Sequence, residues 1–157
     1  MSEALPRFPH MAVYGAEHIQ LGANVSFNNF CHLTATADAP ILIGDDVMCG
    51  PFLVMNTGDH GFESGKQKIR DQRSRRESII VGNDVWLAAR VTVLRGARIP
   101  DGCVIGACSL VTRHNKLTPY SVWAGTPLRK IGERTGHENP DQMQSNSSAA
   151  SKPVGSF

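Results

Sequence analysis

The sequence predicts an all-β chain wound as a parallel β-helix, with an inserted corner loop and a short C-terminal helix. An aliphatic residue recurs at every sixth position over one long stretch, and small residues recur in step with it. A six-residue period fits neither an α-helix nor one long strand, but it is typical of short strands separated by corners. The aliphatic series is Val81, Leu87, Val93, Ile99, Ile105 and Val111, and the small series is Val85, Val91, Ala97, Cys103 and Ser109.

Each six-residue step predicts a short strand that directs one large aliphatic side chain into a narrow core, beside a small residue. Residue pairs that accept tight or left-handed turns mark the corners, as GD at 44–45, GN at 82–83 and DG at 101–102. An ordinary parallel sheet would need helical crossovers between its strands, and the repeat leaves no room for them.

The earlier coils keep the period less regularly. Leu21, Phe27 and Leu33 follow it, four extra residues then shift the frame, and Ile43 and Cys49 resume it. From about residue 56 to residue 78 a polar, basic stretch replaces the repeat. This insertion must leave the stack at a corner because the core has no space for it, and long loops on rigid scaffolds often carry function.

The length of 157 residues predicts one domain, residues 1–138, with the insertion loop at about 56–78 and a C-terminal capping segment at about 119–138. In that segment Thr126 and Pro127 precede Leu128, Ile131 and Arg134, which predicts a short helix over the open end of the stack. Residues 139–157 are rich in Ser, Asn and Ala, and this composition predicts a disordered tail.

The net charge of +2 is too small to indicate nucleic-acid binding. The four cysteines form no CxxC pair and mostly fall on inward positions, which predicts small apolar fillers in a reducing compartment. Because the sequence shows neither a signal peptide nor a membrane span, we expect a cytoplasmic protein that inserts in no membrane and needs no metal ion.

Four segments carry a family resemblance: TGDH at 57–60, VGNDVWLA at 81–88, VIGACSLVTR at 104–113 and AGTPLRKI at 124–131. In this order they resemble the hexapeptide-repeat acyltransferases of the left-handed β-helix superfamily, in particular the galactoside, maltose and polysaccharide O-acetyltransferases. The resemblance implies left-handed coiling, a homotrimer, and acetyl-coenzyme A (acetyl-CoA) lying between neighbouring prisms. It also implies transfer of the acetyl group to a hydroxyl of a sugar or polysaccharide precursor.

The resemblance implies that His60 is the catalytic residue, because similar proteins carry their catalytic histidine after a Thr-Gly at this place. The chemistry needs such a group, since a sugar hydroxyl is a poor nucleophile and a side chain with a pKa of about 6.5 can take its proton. The oxyanion that forms on attack of the thioester needs fixed donors, such as backbone N–H groups. The other histidines are expected to have surface or structural roles.

The resemblance also implies a cofactor site. Ala89 and Ala107 match positions whose backbone meets the pantetheine arm, where small side chains let an extended arm lie close. Thr112 and Arg113 match a Thr-Lys pair near the adenosine phosphates, and Arg129 matches a basic residue after Gly-x-Pro, where a cation suits a phosphate.

Three residues are implied for the acceptor site. Trp86 matches a tryptophan that helps to wall the acceptor cleft, although a packing role is equally open. Asn29 and Asp38 match, with a one-residue gap, positions that hydrogen-bond sugar hydroxyls in similar enzymes. Both residue types also cap β-helix corners, and this alternative stays open.

The sequence departs from the family pattern in the insertion, where six cations crowd into eleven positions. They would attract CoA phosphates or an acidic polysaccharide, or form a solvated basic loop. Other functions also stay open, namely an amino-sugar N-acetyltransferase and a non-catalytic scaffold subunit. A γ-class carbonic anhydrase is disfavoured because no histidine lies between positions 60 and 114. The six cations are Lys66, Lys68, Arg70, Arg73, Arg75 and Arg76.

Overall fold

The computed structural model describes residues 10–135, which form a parallel β-helix. Three sheets make the faces of a triangular prism, and each full coil of the chain contributes one strand to each face. The first coil contains β1 (Ala12–Tyr14), β2 (Ile19–Leu21) and β3 (Ser26–Phe27), and the second contains β4 (His32–Thr34), β5 (Ile41–Ile43) and β6 (Met48–Cys49). The third contains β7 (Val54–Asn56), β8 (Gly58–Asp59), β9 (Arg75–Arg76), β10 (Ile79–Val81) and β11 (Trp86–Leu87). The fourth contains β12 (Thr92–Leu94), β13 (Arg98–Ile99) and β14 (Val104–Ile105), and the last contains β15 (Leu110–Val111), β16 (Ser121–Ala124) and β17 (Arg129–Glu133).

Face A is the five-stranded sheet β1-β4-β7-β12-β15, and face B is the four-stranded sheet β2-β5-β10-β13. Face C is the six-stranded sheet β3-β6-β11-β14-β16-β17. All pairs within these faces are parallel except β16 with β17. The register stacks equivalent residues of successive coils, as when Leu87 pairs with Cys49 on one side and Ile105 on the other. The inward side chains therefore form continuous columns along the prism axis.

The core is the column of residues that the six-residue period predicts. Every member of the aliphatic series is 3% exposed or less, and every member of the small series is 2% exposed or less. Full burial of one large aliphatic side chain stabilises a protein by about 1.5–3 kcal/mol, so these columns supply the main driving force for the coil. The prediction of an all-β, parallel β-helical fold is confirmed.

Two of the three vertices repeat one turn in successive coils. The B–C vertex (residues 22–25, 44–47, 82–85 and 100–103) and the C–A vertex (28–31, 50–53, 88–91 and 106–109) each place one residue per coil in the left-handed region. Asx side chains join the coils at the B–C vertex. The Asp45 carboxylate accepts from the Ala23 N–H at 2.7 Å, the Asn83 amide oxygen from the Asp45 N–H at 2.8 Å, and the Asp101 carboxylate from the Asn83 N–H at 2.7 Å.

The A–B vertex (residues 15–18, 35–40, 57–78, 95–97 and 112–118) differs in every coil. A 3₁₀-helix at Ala16–His18 crosses it in the first coil, and a turn closed by two hydrogen bonds between Thr36 and Ala39 crosses it in the second. In the third coil the insertion leaves the prism here, as the sequence predicts. It contains the antiparallel pair β8–β9 and a 3₁₀-helix at Ile69–Asp71.

The predicted short C-terminal helix is wrong. Arg129–Glu133 instead form β17, which pairs antiparallel with β16 at the end of face C. A strand edge at the end of a parallel stack offers unpaired backbone N–H and C=O groups. Pairing with that edge forms more backbone hydrogen bonds than a single helical turn would. Gly132, which lies inside the predicted helix, also disfavours it by about 1 kcal/mol relative to alanine. Leu128 is buried, as the proposed capping role requires.

Three cysteines, Cys31, Cys49 and Cys103, are buried, and burial raises the pKa of each thiol. Cys108 is exposed at the C–A vertex, and all four are free. Among residues 10–135 there is no helix with the length and apolarity needed to cross a membrane. The predicted disordered tail at 139–157 lies outside the described residues.

Candidate active site

His60 directly follows β8, which is the first strand of the insertion, and its side chain is exposed. It lines a pocket of about 360 Å³ together with Lys68, Ile69 and Arg70. Within residues 10–135 the imidazole has no hydrogen-bond or ion-pair partner, so both of its nitrogens remain available to another molecule.

Local hydrogen bonds direct the chain out of the prism just before His60. Thr57 is buried, and both its N–H and its hydroxyl donate to the Thr34 carbonyl at 3.2 Å. The Asn56 side-chain oxygen accepts from the Gly58 N–H at 3.0 Å. Pairing of β8 with β9 then leads the chain away from the core.

An ion-pair network centred on the buried Arg95 lies under the stem of the insertion. The Arg95 side chain donates from Nε to Asp59 Oδ2 at 2.7 Å and from Nη1 to Glu77 Oε1 at 2.8 Å. Arg113 donates to the same Glu77 oxygen at 2.6 Å. Two guanidinium groups and two carboxylates balance in charge, and hydrogen bonds between ionised groups are roughly twice as strong as neutral ones.

An open groove of about 930 Å³ runs along the insertion at the same vertex. Asp38 and Arg113, both implied by the sequence, line this groove together with Arg73 and Arg76 of the insertion. The Thr36 hydroxyl donates to Asp38 Oδ1 at 2.8 Å, and this hydrogen bond, with a smaller contribution from Arg76, lowers the pKa of the Asp38 carboxyl. Asp38 is therefore an ionised acceptor at neutral pH.

A second cleft, of about 660 Å³, lies beside the groove. Four residues that carry or can accept a positive charge line it: Arg98, Arg113, His114 and Lys116. Thr112 directly precedes Arg113, and its N–H and hydroxyl both donate to the Asn115 side-chain oxygen, at 2.7 and 3.0 Å. The cleft also contains the Glu77 carboxylate, but its cations outnumber this acid, so it can hold an anionic group such as a phosphate.

Ala89 and Ala107 occupy equivalent positions of successive coils at the C–A vertex. The N–H of Cys108, which follows Ala107, donates to the Ala89 carbonyl at 2.9 Å, so the two turns stack directly. Arg129 begins β17 opposite Ala124, and its guanidinium donates to the Leu128 carbonyl at 3.0 Å. The small side chains leave the backbone of this vertex open to an extended ligand.

Trp86 and Asn29 lie away from His60 within one chain. Trp86 points outward from face C, between Met48 and Val104 of the adjoining strands. Face C is opposite the A–B vertex, so the filled prism separates Trp86 from the imidazole. Asn29 lies at the C–A vertex, where its N–H donates to the Asn28 side-chain oxygen at 2.8 Å. Of the implied acceptor residues, only Asp38 shares a vertex with His60, and all three roles stay predictions.

The sequence reasoning missed Arg95, Asp59 and Glu77. A signal for Arg95 was present, because side chains two residues apart on a strand point to the same side. Val93 is an inward member of the aliphatic series, so Arg95 also starts on the inward side. A charge in that phase indicates a buried partner of opposite sign. The same residues do not suggest a metal site, since no group of three potential ligands comes together within residues 10–135.

Comparisons with known proteins agree with this architecture, although no protein-family model matches the chain. The galactoside O-acetyltransferase of Lactococcus lactis subsp. lactis (strain IL1403) is 36% identical over 129 residues, which are 80% of this chain and 59% of the relative. The structure of a galactoside acetyltransferase in complex with coenzyme A has a TM-score of 0.69 at 30% identity, covering 80% of this chain and 60% of the other. A maltose O-acetyltransferase from Clostridium difficile 630 has a TM-score of 0.70 at 27% identity, covering 79% of this chain and 63% of the other.

The chain thus spans 59% of that Lactococcus relative and similar shares of the two structures. The similarity covers most of this chain and shares its coiled architecture, so the coiling of the prism is left-handed. Together with the six-residue columns of the core, it shows that the chain has the left-handed β-helical fold of the hexapeptide-repeat acyltransferases and is similar to the galactoside and maltose O-acetyltransferases among them.

Proposed function

We propose that the protein transfers the acetyl group of acetyl-CoA to a hydroxyl of a sugar or polysaccharide precursor, with His60 as general base. The observation that carries this proposal is the placement of His60. Its imidazole is exposed and unpartnered within residues 10–135, on the one vertex where the prism also carries a polar groove and a cationic cleft. The relationship to galactoside and maltose O-acetyltransferases supports the reaction class.

In the proposed mechanism the His60 imidazole accepts the proton of the acceptor hydroxyl while the hydroxyl oxygen attacks the thioester carbonyl carbon. Backbone N–H groups of the coil corners are the expected donors to the resulting oxyanion. The carbon–sulfur bond then breaks, and the imidazolium returns its proton to the departing thiolate. The imidazole is thereby regenerated, and no covalent bond to the protein is needed.

The cofactor is proposed to bind along the C–A vertex and across face A. Ala89 and Ala107 present open backbone to the amide-bearing arm, which can pair with it as an added strand does. Arg113 lines the cationic cleft that suits the phosphates, Thr112 directly precedes it, and Arg129 adds a cation near the end of the stack. A solved relative of this fold contains coenzyme A, which supports this assignment.

We also propose a homotrimer, with each acceptor site shared between two chains. Trp86 of one chain can meet His60 only if it belongs to a neighbouring copy, because the two lie on opposite sides of one prism. Exposed apolar side chains support such a contact: Met48 and Trp86 on face C are 55% and 48% exposed, and Phe30 and Phe52 at the C–A vertex are 50% and 45% exposed. A contact between unlike surfaces closes into a ring when the rotation fits.

A panel of acceptors incubated with acetyl-CoA tests the reaction, with mass spectrometry of the products and a thiol assay for free coenzyme A. We expect one acetyl group on a hydroxyl-bearing sugar, and release of coenzyme A that depends on the acceptor. Amino sugars in the same panel separate N-acetylation from O-acetylation. Failure of acetyl-CoA to bind at millimolar concentration would instead indicate a non-catalytic scaffold.

Mixed subunits test the shared site. His60→Ala removes the proposed base, and Trp86→Ala removes the side chain that the neighbouring copy is proposed to contribute. We expect each variant alone to have low activity and the co-expressed pair to recover part of it, because some sites then combine an intact His60 of one chain with an intact Trp86 of its neighbour. Mixed trimers without any recovered activity would contradict a site shared in this way.

A further inference from the structure

We propose that Arg95 is the positioning residue for His60, which it holds in place through Asp59. The inference rests on the proposed role of His60 as general base. In this proposal Arg95 does not contact the substrate. Its basis is the network that the buried Arg95 forms with the partly exposed Asp59, Glu77 and Arg113 beneath the insertion.

Arg95 binds both the outgoing and the returning segment of the insertion's stem. Asp59 lies in β8, where the chain leaves the prism, and Glu77 lies between β9 and β10, where the chain returns. The guanidinium reaches the first carboxylate at 2.7 Å and the second at 2.8 Å. One side chain of the fourth coil therefore fixes both ends of the segment that carries His60.

Burial makes this constraint strong. Arg95 is only 8% exposed, and a buried charge is tolerated only when its partners stand in good geometry. The neighbouring backbone is adapted to the same contact, because Gly96 has a φ of 73° and a side chain there would overlap the Glu77 carboxylate. The network therefore leaves little freedom for the position of Asp59.

The imidazole of His60 depends on this anchor because it has no partner of its own within residues 10–135. Its Cα is one peptide unit, about 3.8 Å, from that of Asp59. The position of β8 consequently sets where the imidazole nitrogen stands relative to a bound hydroxyl. A displacement of about 1 Å at a reacting group can lower a rate by about 10²-fold.

Steady-state kinetics of Arg95→Met, which keeps an unbranched stem and removes the guanidinium with its charge, test the proposal. We expect kcat to fall by about 10- to 100-fold, with the KM for acetyl-CoA within about twofold of wild type. Arg95→Lys keeps the charge and should recover part of the loss. Arg134→Met is the matched control, since Arg134 pairs with Asp84 at 2.7 Å at the B–C vertex, and its kcat should not change.

Hydrogen exchange of the backbone supplies a readout that does not depend on activity. In Arg95→Met the amides of residues 58–60 and 75–77 should exchange faster, while those of the three faces keep their protection. If the wild type acetylates no acceptor, the proposed function fails, but this measurement still decides whether Arg95 anchors the stem. Unchanged exchange together with unchanged kcat would overturn the proposal.

Asp59→Asn provides a second test should Arg95→Met fail to fold. It removes one carboxylate charge and leaves the pairing of Arg95 with Glu77 intact. We expect a smaller fall in kcat in the same direction, with faster exchange confined to β8. Wild-type kcat and exchange in this variant would overturn the proposal as well.

Discussion

The B–C and C–A vertices repeat one turn in successive coils, whereas the A–B vertex is built differently in each coil. At the two regular vertices one residue per coil adopts a left-handed conformation, with φ between 52° and 69° for residues as different as Asp84, Phe52 and Gly102. At the A–B vertex the chain uses a 3₁₀-helix, a tight turn, a long insertion and an ion-paired Arg-Gly step.

The difference shows that the two regular vertices serve the scaffold, whereas the irregular vertex forms the candidate site. The regular vertices hold the coils in register, which requires the same backbone geometry in every coil and tolerates varied side chains. The irregular vertex carries His60, the groove, the cationic cleft and the ion-pair network around Arg95. A rigid, repetitive frame with one variable edge is how many folds present loops for binding and catalysis.

The largest expected effect lies at the irregular vertex. His60→Ala should lower kcat by about 10² to 10⁴-fold, because it removes a positioned base, while acetyl-CoA affinity stays close to wild type. Kinetics and calorimetric titration with acetyl-CoA measure the two quantities. His18→Ala is the control, since His18 also lies at the A–B vertex, in the first coil. Turnover of His60→Ala at the wild-type rate would remove the proposed mechanism.

An effect of intermediate size is expected on the free energy of unfolding, and it should distinguish the B–C vertex from the insertion at the A–B vertex. An added Cβ at Gly82 would lie 2.8 Å from the Asp101 backbone nitrogen and 3.1 Å from the Pro100 carbonyl carbon. Gly82→Ala should therefore lower the free energy of unfolding by about 1–3 kcal/mol, as overpacking does.

Gly65→Ala is its counterpart in the insertion, where nothing lies within 4 Å of an added Cβ. We expect no loss of stability in this variant, since alanine also restricts the unfolded chain. Denaturant titration of both variants measures the contrast. Equal destabilisation at the two sites would show that the insertion is packed as tightly as the coils.

The smallest expected effect is electrostatic. The KM for acetyl-CoA should rise by a few-fold with ionic strength, because salt screens exposed cations from the phosphates. Arg113→Ala should make this dependence shallower, since it removes one cation from both the groove and the cleft. Kinetics at several salt concentrations provide the measurement. A KM that does not change with salt would indicate that the cations of the insertion are only solvated and do not attract acetyl-CoA.

The sequence predicts the core well because one rule governs every coil. Residues such as Leu87 and Ile105 recur at the spacing that the prism imposes, and their burial follows from it. The predicted helix at the C-terminal segment fails for a different reason. The local spacing of Leu128 and Ile131 suits a helical turn, but the free edge of β16 is a tertiary feature that sequence spacing does not show.

The candidate site is predicted only in part. Motif resemblance selects His60 and the cofactor residues, but it does not say on which side of the prism each lies. The separation of Trp86 from His60 follows from counting strands around three faces. The spacing of Glu77 and Arg95 was a further signal, because 18 residues make one full coil of the regular stack, as in the pairing of Thr92 with Leu110. Asp59 is 36 positions from Arg95, and the insertion between them hides this partner from such counting.

The final strand has a consequence for assembly. A column of parallel coils ends in an exposed ladder onto which a further chain could add, as happens in fibres. At face C, β17 occupies that ladder in the reverse direction and presents charged groups outward, including an ion pair between Lys130 and Glu133 at 2.5 Å. Addition of a further parallel coil is thereby disfavoured at that end of face C.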